Sequence, residues 1–236
     1  MYAPSMDVRT SMPEKYVSAV NYALNPELPH AEVLCTVNKQ PLTRKDLLTL
    51  SPGTWLNDEI INAMLYIISV RSMHAKAPKV MVLNTYFFSL LAPQLRYDRQ
   101  KGERMMKKIA QNPFDCDIVL IPIHVESNHW AMVAIYIHQH VIAYYDSLPN
   151  DGKLVLGVIE AFMEDEAKRR DSAHKNIGWV TQNRDLVPHQ ENGFDCGMFA
   201  LMFADKIASH QVFLFSQRDM SELRRRVAAT LLWWKE

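Results

Sequence analysis

The chain is poor in cysteine, with three residues in 236, at positions 35, 116 and 196. They lie far apart and no CxxC occurs, which argues against both a disulfide framework and a structural zinc site. An odd count, with one cysteine in a reactive-looking context, fits a reducing compartment. Net charge is also missing: 26 basic residues balance 26 acidic ones. Nothing therefore draws the chain electrostatically to nucleic acid or to a membrane surface. No apolar run reaches membrane-spanning length, because charges or prolines interrupt each candidate. There is no basic-then-apolar leader, no repeat, no low-complexity segment, and no run of Lys and Arg that would serve as an import signal. These absences read as a cytosolic or nuclear protein, or a fragment of one.

What is present is ordinary for a soluble enzyme: 48% apolar and 22% charged residues. The length suits one globular domain with an extension. Residues 1–41 carry Pro4, Pro13, Pro26, Pro29 and Pro41, which predict an extended arm with one short helix near 14–24. The compact domain is expected over 42–236. Thr43 caps a short helix running to Leu50, before a Pro52-Gly53 turn. Asn57 caps a second helix with Asp58 and Glu59 in its first turn, where the dipole favours acids. Its apolar face is Ile60, Ile61, Met64, Leu65 and Ile68. Strands are predicted at 80–83, 118–123, 130–137, 141–145 and 179–180. The longer apolar runs suit central strands covered on both faces. Helices are predicted at 154–169, 198–209 and 220–233, with a loop over 183–195. Helices flanking a sheet without regular βαβ alternation give the class α+β.

The richest stretch is His189-Gln190-Glu191-Asn192-Gly193-Phe194-Asp195-Cys196-Gly197. Cys196 stands between a turn-forming Asn-Gly and an apolar helical pattern made by Met198, Phe199, Leu201, Met202 and Ile207. A thiol at a helix N-terminus feels the positive end of the macrodipole, which favours the thiolate. A hairpin turning at 138–140 brings His129 and Asp146 to the same end of two strands, within two or three residues of register. Asp146 can then hold one imidazole nitrogen while the other faces the cysteine. The Cys196 backbone N–H and the Gln190 side-chain amide can both donate to a tetrahedral oxyanion. Asn192 and Gly193 are candidate substrate-binding residues, and Gly193 and Gly197 would let a substrate backbone approach closely. A cysteine, a histidine, an aspartate and a glutamine are the parts of a cysteine protease. Singly, each has a bland reading: a small buried apolar group, a packed strand residue, a turn former, a surface amide. Composition and spacing leave both readings open.

These motifs resemble the Ulp1/SENP family of ubiquitin-like-modifier cysteine proteases, over about residues 42–233. The similar segments are Leu42-Thr43-Arg44-Lys45-Asp46-Leu47, Trp55-Leu56-Asn57-Asp58-Glu59-Ile60-Ile61-Asn62, Asn84-Thr85-Tyr86-Phe87-Phe88, Ile121-Pro122-Ile123-His124, His129-Trp130, Tyr144-Tyr145-Asp146-Ser147, the Cys196 stretch, and Phe215-Ser216-Gln217 with Met220 and Arg224-Arg225-Arg226. The resemblance implies a papain-like cysteine-protease fold with chain order His, Asp, Cys, and a central mixed sheet. It makes Cys196 the nucleophile, His129 the acid and base, Asp146 the orienter and Gln190 the oxyanion donor. It places Trp55 and Trp130 as a clamp on the modifier's Gly-Gly tail, and Asp58 against the modifier's globular part. Two flat indoles admit glycine and exclude bulkier residues. The implied substrate is SUMO, as precursor or as conjugate, cut by a monomer in nucleus or cytoplasm with neither metal nor cofactor. A NEDD8 protease, an acetyltransferase of a related clan and a silent modifier-binding module are the alternatives. The chain departs from the family at His189, Glu191 and Phe194, and at Met105-Met106-Lys107-Lys108, which lacks the usual tryptophan. Glu191 is expected to add negative charge near the thiolate.

Overall fold

The computed structural model describes residues 6–73, 77–125, 128–184 and 186–235. In chain order the elements are α1 (Glu14–Ala23), β1 (Val33–Val37), β2 (Gln40–Thr43), α2 (Arg44–Leu48), α3 (Asp58–Met73), β3 (Val80–Val82), α4 (Tyr86–Leu91), α5 (Arg99–Ile109), β4 (Ile118–Val125), β5 (His129–Tyr136), β6 (Val141–Tyr145), α6 (Lys153–Arg169), β7 (Val180–Asn183), α7 (Cys196–Ala208) and α8 (Met220–Trp233).

A five-stranded mixed sheet runs in the order β3-β4-β5-β6-β7. Its centre is antiparallel, and the outer strands β3 and β7 run parallel to their neighbours. Strand alternation divides the core in two. Leu120, Met132, Ala134 and Tyr145 join the cluster that contains α3, α7 and α8, while Ile121, Val133, Ile135 and Tyr144 join that of α4 and α6. Both faces are covered, as the continuous apolar runs require. The helix α7 is hydrophobic all round, and every residue of it except Lys206 is buried. It is a core helix packed against β5 and α3, where a one-sided apolar stripe was expected.

The N-terminal segment differs from the predicted arm. The short helix is present as α1, but β1 and β2 form an antiparallel hairpin. Its turn places Asn38 and Lys39 at φ 51° and 61°, with lysine where the usual glycine would flag such a turn. Pro41 sits in this small two-stranded sheet, where a missing N–H is tolerated. The expected boundary after residue 41 falls within β2. Tyr16, Val20, Ala23 and Val37 are buried in the same core as α7 and α8. Arg44, fully buried, donates to the Ala23 carbonyl at 3.0 Å, to the Tyr22 carbonyl and to Glu32, tying α1 to α2. The first five residues of the arm lie outside the described residues.

The helix caps follow the sequence. Thr43 and Asp46 make a capping box at α2, and Asn57 Oδ1 accepts the Ile60 N–H at 3.1 Å. Two helices without a sequence prediction, α4 and α5, cover one face of the sheet beside α6. Among the described residues no helix is long and apolar enough to cross a membrane.

Candidate active site

Residues 129 and 146 meet because the β5–β6 ladder is short and regular. Met132 pairs with Tyr145 and Tyr136 with Val141, so His129 and Asp146 extend the two strands at one end. His129 Nε2 lies 2.6 Å from Asp146 Oδ1. Asp146 is itself held by two further donors. The Tyr144 hydroxyl donates to Oδ2 at 2.8 Å, and the Leu148 N–H donates to Oδ1 at 2.9 Å. Burial, and then the Asp146 charge, push the Tyr144 hydroxyl well above its usual range, so it stays a donor.

Cys196, 2% exposed, is the first residue of α7. Its side chain stands close enough to the His129 ring to raise the pKa of that ring. With Nε2 committed to Asp146, Nδ1 is the nitrogen left for sulfur. Burial alone would lower the His129 pKa, but hydrogen bonds and charge from Asp146 and Cys196 prevail and push it up to about 9. Asp146 and Cys196 thus hold the ring toward its protonated form.

Gln190 is buried beside this group. Its Oε1 accepts the Ser147 hydroxyl at 2.7 Å, its Nε2 donates to the Asn192 carbonyl at 2.5 Å, and its backbone N–H donates to the Ser147 carbonyl at 3.0 Å. Asn192 folds the loop back on itself: its Oδ1 accepts the N–H groups of Phe194 and Asp195, each at 3.1 Å, and its Nδ2 donates to Asp195 at 2.7 Å. Gly193 is exposed, with open space where a Cβ would be. Gly197 differs from the expectation. A Cβ on it would meet Leu56 at 3.0 Å, so this glycine lets the 55–57 segment approach α7 rather than admitting substrate. Glu191 is exposed and its N–H donates to Gln217 Oε1 at 2.9 Å.

The two tryptophans flank that same segment. The Trp55 indole N–H donates to the Gly193 carbonyl at 2.7 Å, leaving the side chain 54% exposed. Trp130 is buried, and its N–H donates to the Leu56 carbonyl at 3.2 Å. One face of its ring is stacked on His124, with centroids 4.1 Å apart. His124 is thus part of this wall, although the sequence reading assigned it no role. Burial pulls its pKa down. Asp58 opens α3, half-buried, and its charge raises the pKa of the Tyr86 hydroxyl. Met106 of α5 is buried and Met105 partly so.

Sequence reasoning also missed the support under Cys196. Arg224 of α8, 1% exposed, donates to Asp195 Oδ1 at 2.8 Å and to the carbonyls of Thr49, Ser51, Thr54 and Phe194. Gln217 donates to Asp195 Oδ2 at 2.7 Å. The segment leading to Trp55 and the loop leading to Cys196 are thereby pinned to one guanidinium. Tyr144 could have been read from the strand period, since residues 144 and 146 share a face. Arg224 carries no such local signal. Among the described residues, no group of three or more His, Cys, Asp or Glu side chains is placed to hold a metal.

Comparison with known proteins gives the family of the chain. The chain is 35% identical over 190 residues to a sentrin-specific protease of Caenorhabditis elegans, covering 79% of this chain and 26% of that protein. It is 30% identical over 207 residues to human sentrin-specific protease 2, covering 86% and 34%. To ubiquitin-like-specific protease 1A of Arabidopsis thaliana it is 32% identical over 199 residues, covering 81% and 39%. The chain thus spans between 26% and 39% of the length of these relatives. Its fold matches the C-terminal Ulp1 protease domain solved in complex with Smt3, the yeast orthologue of SUMO, with a TM-score of 0.79 at 23% identity over 96% of this chain and 97% of that one. It also matches the catalytic domain of a Chaetomium thermophilum Ulp1-like SUMO protease, with a TM-score of 0.71 at 24% identity over 94% and 90%. The family model for the Ulp1 protease C-terminal catalytic domain matches residues 54–231, and this chain belongs to that family.

Proposed function

We propose that this chain is a thiol isopeptidase and endopeptidase that cleaves after the C-terminal Gly-Gly of a ubiquitin-like modifier, SUMO foremost. The observation that carries it is the line Asp146–His129–Cys196 at the start of a buried helix, with the Gln190 amide beside it. Relatives named as sentrin-specific proteases and a fold neighbour solved with Smt3 support SUMO over other modifiers. SUMO-conjugated proteins are then the substrates, and the catalytic unit works as a monomer.

The reaction follows from the geometry. The Cys196 sulfur, as the thiolate whose proton His129 carries, attacks the carbonyl carbon of the modifier's last glycine, and the carbonyl π electrons move onto oxygen. Gln190 and the Cys196 N–H stabilise that oxyanion. His129 as imidazolium gives its proton to the departing lysine amine as the C–N bond breaks, leaving a thioester. The neutral ring then takes a proton from water, which attacks the thioester; the C–S bond breaks to restore the thiolate, and the modifier leaves as a carboxylate, its remaining acid proton passing to solvent. Asp146 keeps the imidazole aligned throughout, itself fixed by Tyr144 and Leu148.

Covalent trapping with C-terminally activated SUMO, NEDD8 and ubiquitin tests this reading. A SUMO adduct that is lost in Cys196→Ala is expected. A NEDD8-only adduct would keep the chemistry and overturn the modifier. No adduct from folded protein would overturn the protease reading in favour of an acetyl carrier or a silent binder.

A further inference from the structure

Gln190 can stabilise an oxyanion only with its nitrogen end facing the reaction. The two ends of a primary amide are nearly the same size, so shape does not select between them. A flipped amide would present a carbonyl oxygen to a developing negative charge and oppose the reaction. Something must therefore set the polarity of this side chain.

We infer that Ser147 is the positioning residue that holds the oxygen end of the Gln190 amide, whose polarity the Asn192 carbonyl sets. The Asn192 carbonyl, 2.5 Å from Nε2, accepts only, so the atom facing it must be nitrogen. That places Oε1 against the Ser147 hydroxyl at 2.7 Å, which must then donate. Both side chains are buried, Ser147 at 1% and Gln190 at 8% exposed. Water is a poor substitute for either partner there. Flipping the amide would set carbonyl against carbonyl at Asn192 and leave the hydroxyl as sole compensation. The arrangement is reinforced by the backbone, where the Gln190 N–H donates to the Ser147 carbonyl at 3.0 Å. Ser147 directly follows Asp146, so one strand end carries both the residue that orients the base and the residue that orients the oxyanion donor.

This inference rests on the reading of Gln190 as oxyanion donor, and a double-mutant cycle separates the two. Steady-state kcat and KM are measured for wild type, Ser147→Ala, Gln190→Ala and the double variant. The substrate is a C-terminal fluorogenic amide of the modifier that labels Cys196. Gln190→Ala is expected to lower kcat roughly a hundredfold to a thousandfold. Ser147→Ala, which keeps the backbone bonds, is expected to lower kcat about tenfold with KM unchanged, on the scale of one lost buried hydrogen bond. The double variant is expected to match Gln190→Ala, because Ser147 has nothing left to orient. A Ser147→Ala loss that persists in the Gln190→Ala background, or that falls on KM, overturns the positioning role. A normal kcat in Gln190→Ala overturns the donor reading itself, and the inference with it. Thermal melts of all four proteins distinguish lost orientation from lost fold.

Discussion

Replacing Arg224 with methionine perturbs the site without touching the reacting atoms. The side chain is 1% exposed and all of its N–H groups are aimed at acceptors: Asp195 at 2.8 Å, Thr54 at 2.8 Å, Thr49 and Phe194 at 3.1 Å, and Ser51 at 3.2 Å. Methionine fills part of the volume and satisfies none of them. Asp195, 3% exposed, keeps Asn192 and Gln217 as donors but loses its counter-charge. Breaking one side of a buried ion pair costs about 3–5 kcal/mol. At about 2–4 °C per kcal/mol for a chain of this size, the melting temperature should fall by roughly 6–20 °C. Arg224→Lys restores the charge but not the fan of donors, so it should lie between wild type and Arg224→Met. Adding Asp195→Asn to Arg224→Met should recover part of the loss, because the uncompensated charge is gone. The assay is thermal and urea unfolding of all four proteins. A loss under about 1 kcal/mol in Arg224→Met, the range of an exposed ion pair, would refute the argument that this pair bears the stability of the two loops.

His129 supplies a pH test. Burial lowers its pKa, but Asp146 and Cys196 raise it to about 9, above the ordinary value near 6.5. The stability this ring contributes is therefore complete below about pH 6.5 and is lost as pH rises through about 9. Isopeptide cleavage should fall over the same upper limb, as the leaving amine loses its proton donor; a rate still rising above pH 9 would contradict this. In Cys196→Ala the ring loses one of the partners that raise it, so its titration, followed by NMR, should move down. Gly152→Ala should act on the site at second hand. Gly152 has φ +60°, and a Cβ there would collide with the Tyr144 ring, whose hydroxyl holds Asp146. The expected result is a kcat about tenfold lower with modifier binding unchanged, on top of about 1 kcal/mol or more of backbone strain. Tyr144→Phe should reproduce the kinetic part, and full activity in both variants would remove Tyr144 from the account. Trp55→Ala should raise KM for the modifier more than it lowers kcat, since the indole, bonded to the Gly193 carbonyl, is exposed in the free enzyme. An unchanged KM would take Trp55 out of the tail clamp.

The strands β4, β5 and β6 were legible because long β-branched runs have few alternatives, and the ladder between β5 and β6 follows from the short link at 138–140. His129 and Asp146 came together on that register alone. The caps of α2 and α3 were legible because a side chain three residues from its partner is a local event. The β1–β2 hairpin was not, since Lys39 stands where a glycine would flag the turn and β2 carries a proline. Tertiary cover supplies what propensity lacks: Val37 and Leu42 are buried against the core. The status of α7 was misjudged for a related reason. An apolar stripe tells that a helix has a buried face, but whether the opposite face is also covered depends on which other elements pack there. Gly197 was assigned to substrate for want of any sign that Leu56 would lie against it.

The loop from His189 to Asp195 holds no regular secondary structure, yet it must present a donor and a nucleophile to within fractions of an ångström. Apolar burial does not supply that precision, because the loop has little to bury. It is supplied by polar side chains from distant segments: Ser147 on the Gln190 amide, Gln217 on Glu191 and Asp195, and Arg224 on Asp195 and Phe194. Their partners lie 22 to 43 residues away in sequence, so no window of local pattern contains both members of a pair. Each such bond contributes directionality where a methyl contact contributes only volume. The buried helix α7 gives Cys196 a rigid base, and the strand end of β6 gives Asp146 and Ser147 theirs. The loop is then an irregular piece held between two fixed ones. Substitutions at Ser147 and Gln217 should therefore cost turnover before they cost modifier binding, because they loosen the geometry of reaction while leaving the exposed face around Trp55 and Gly193 in place.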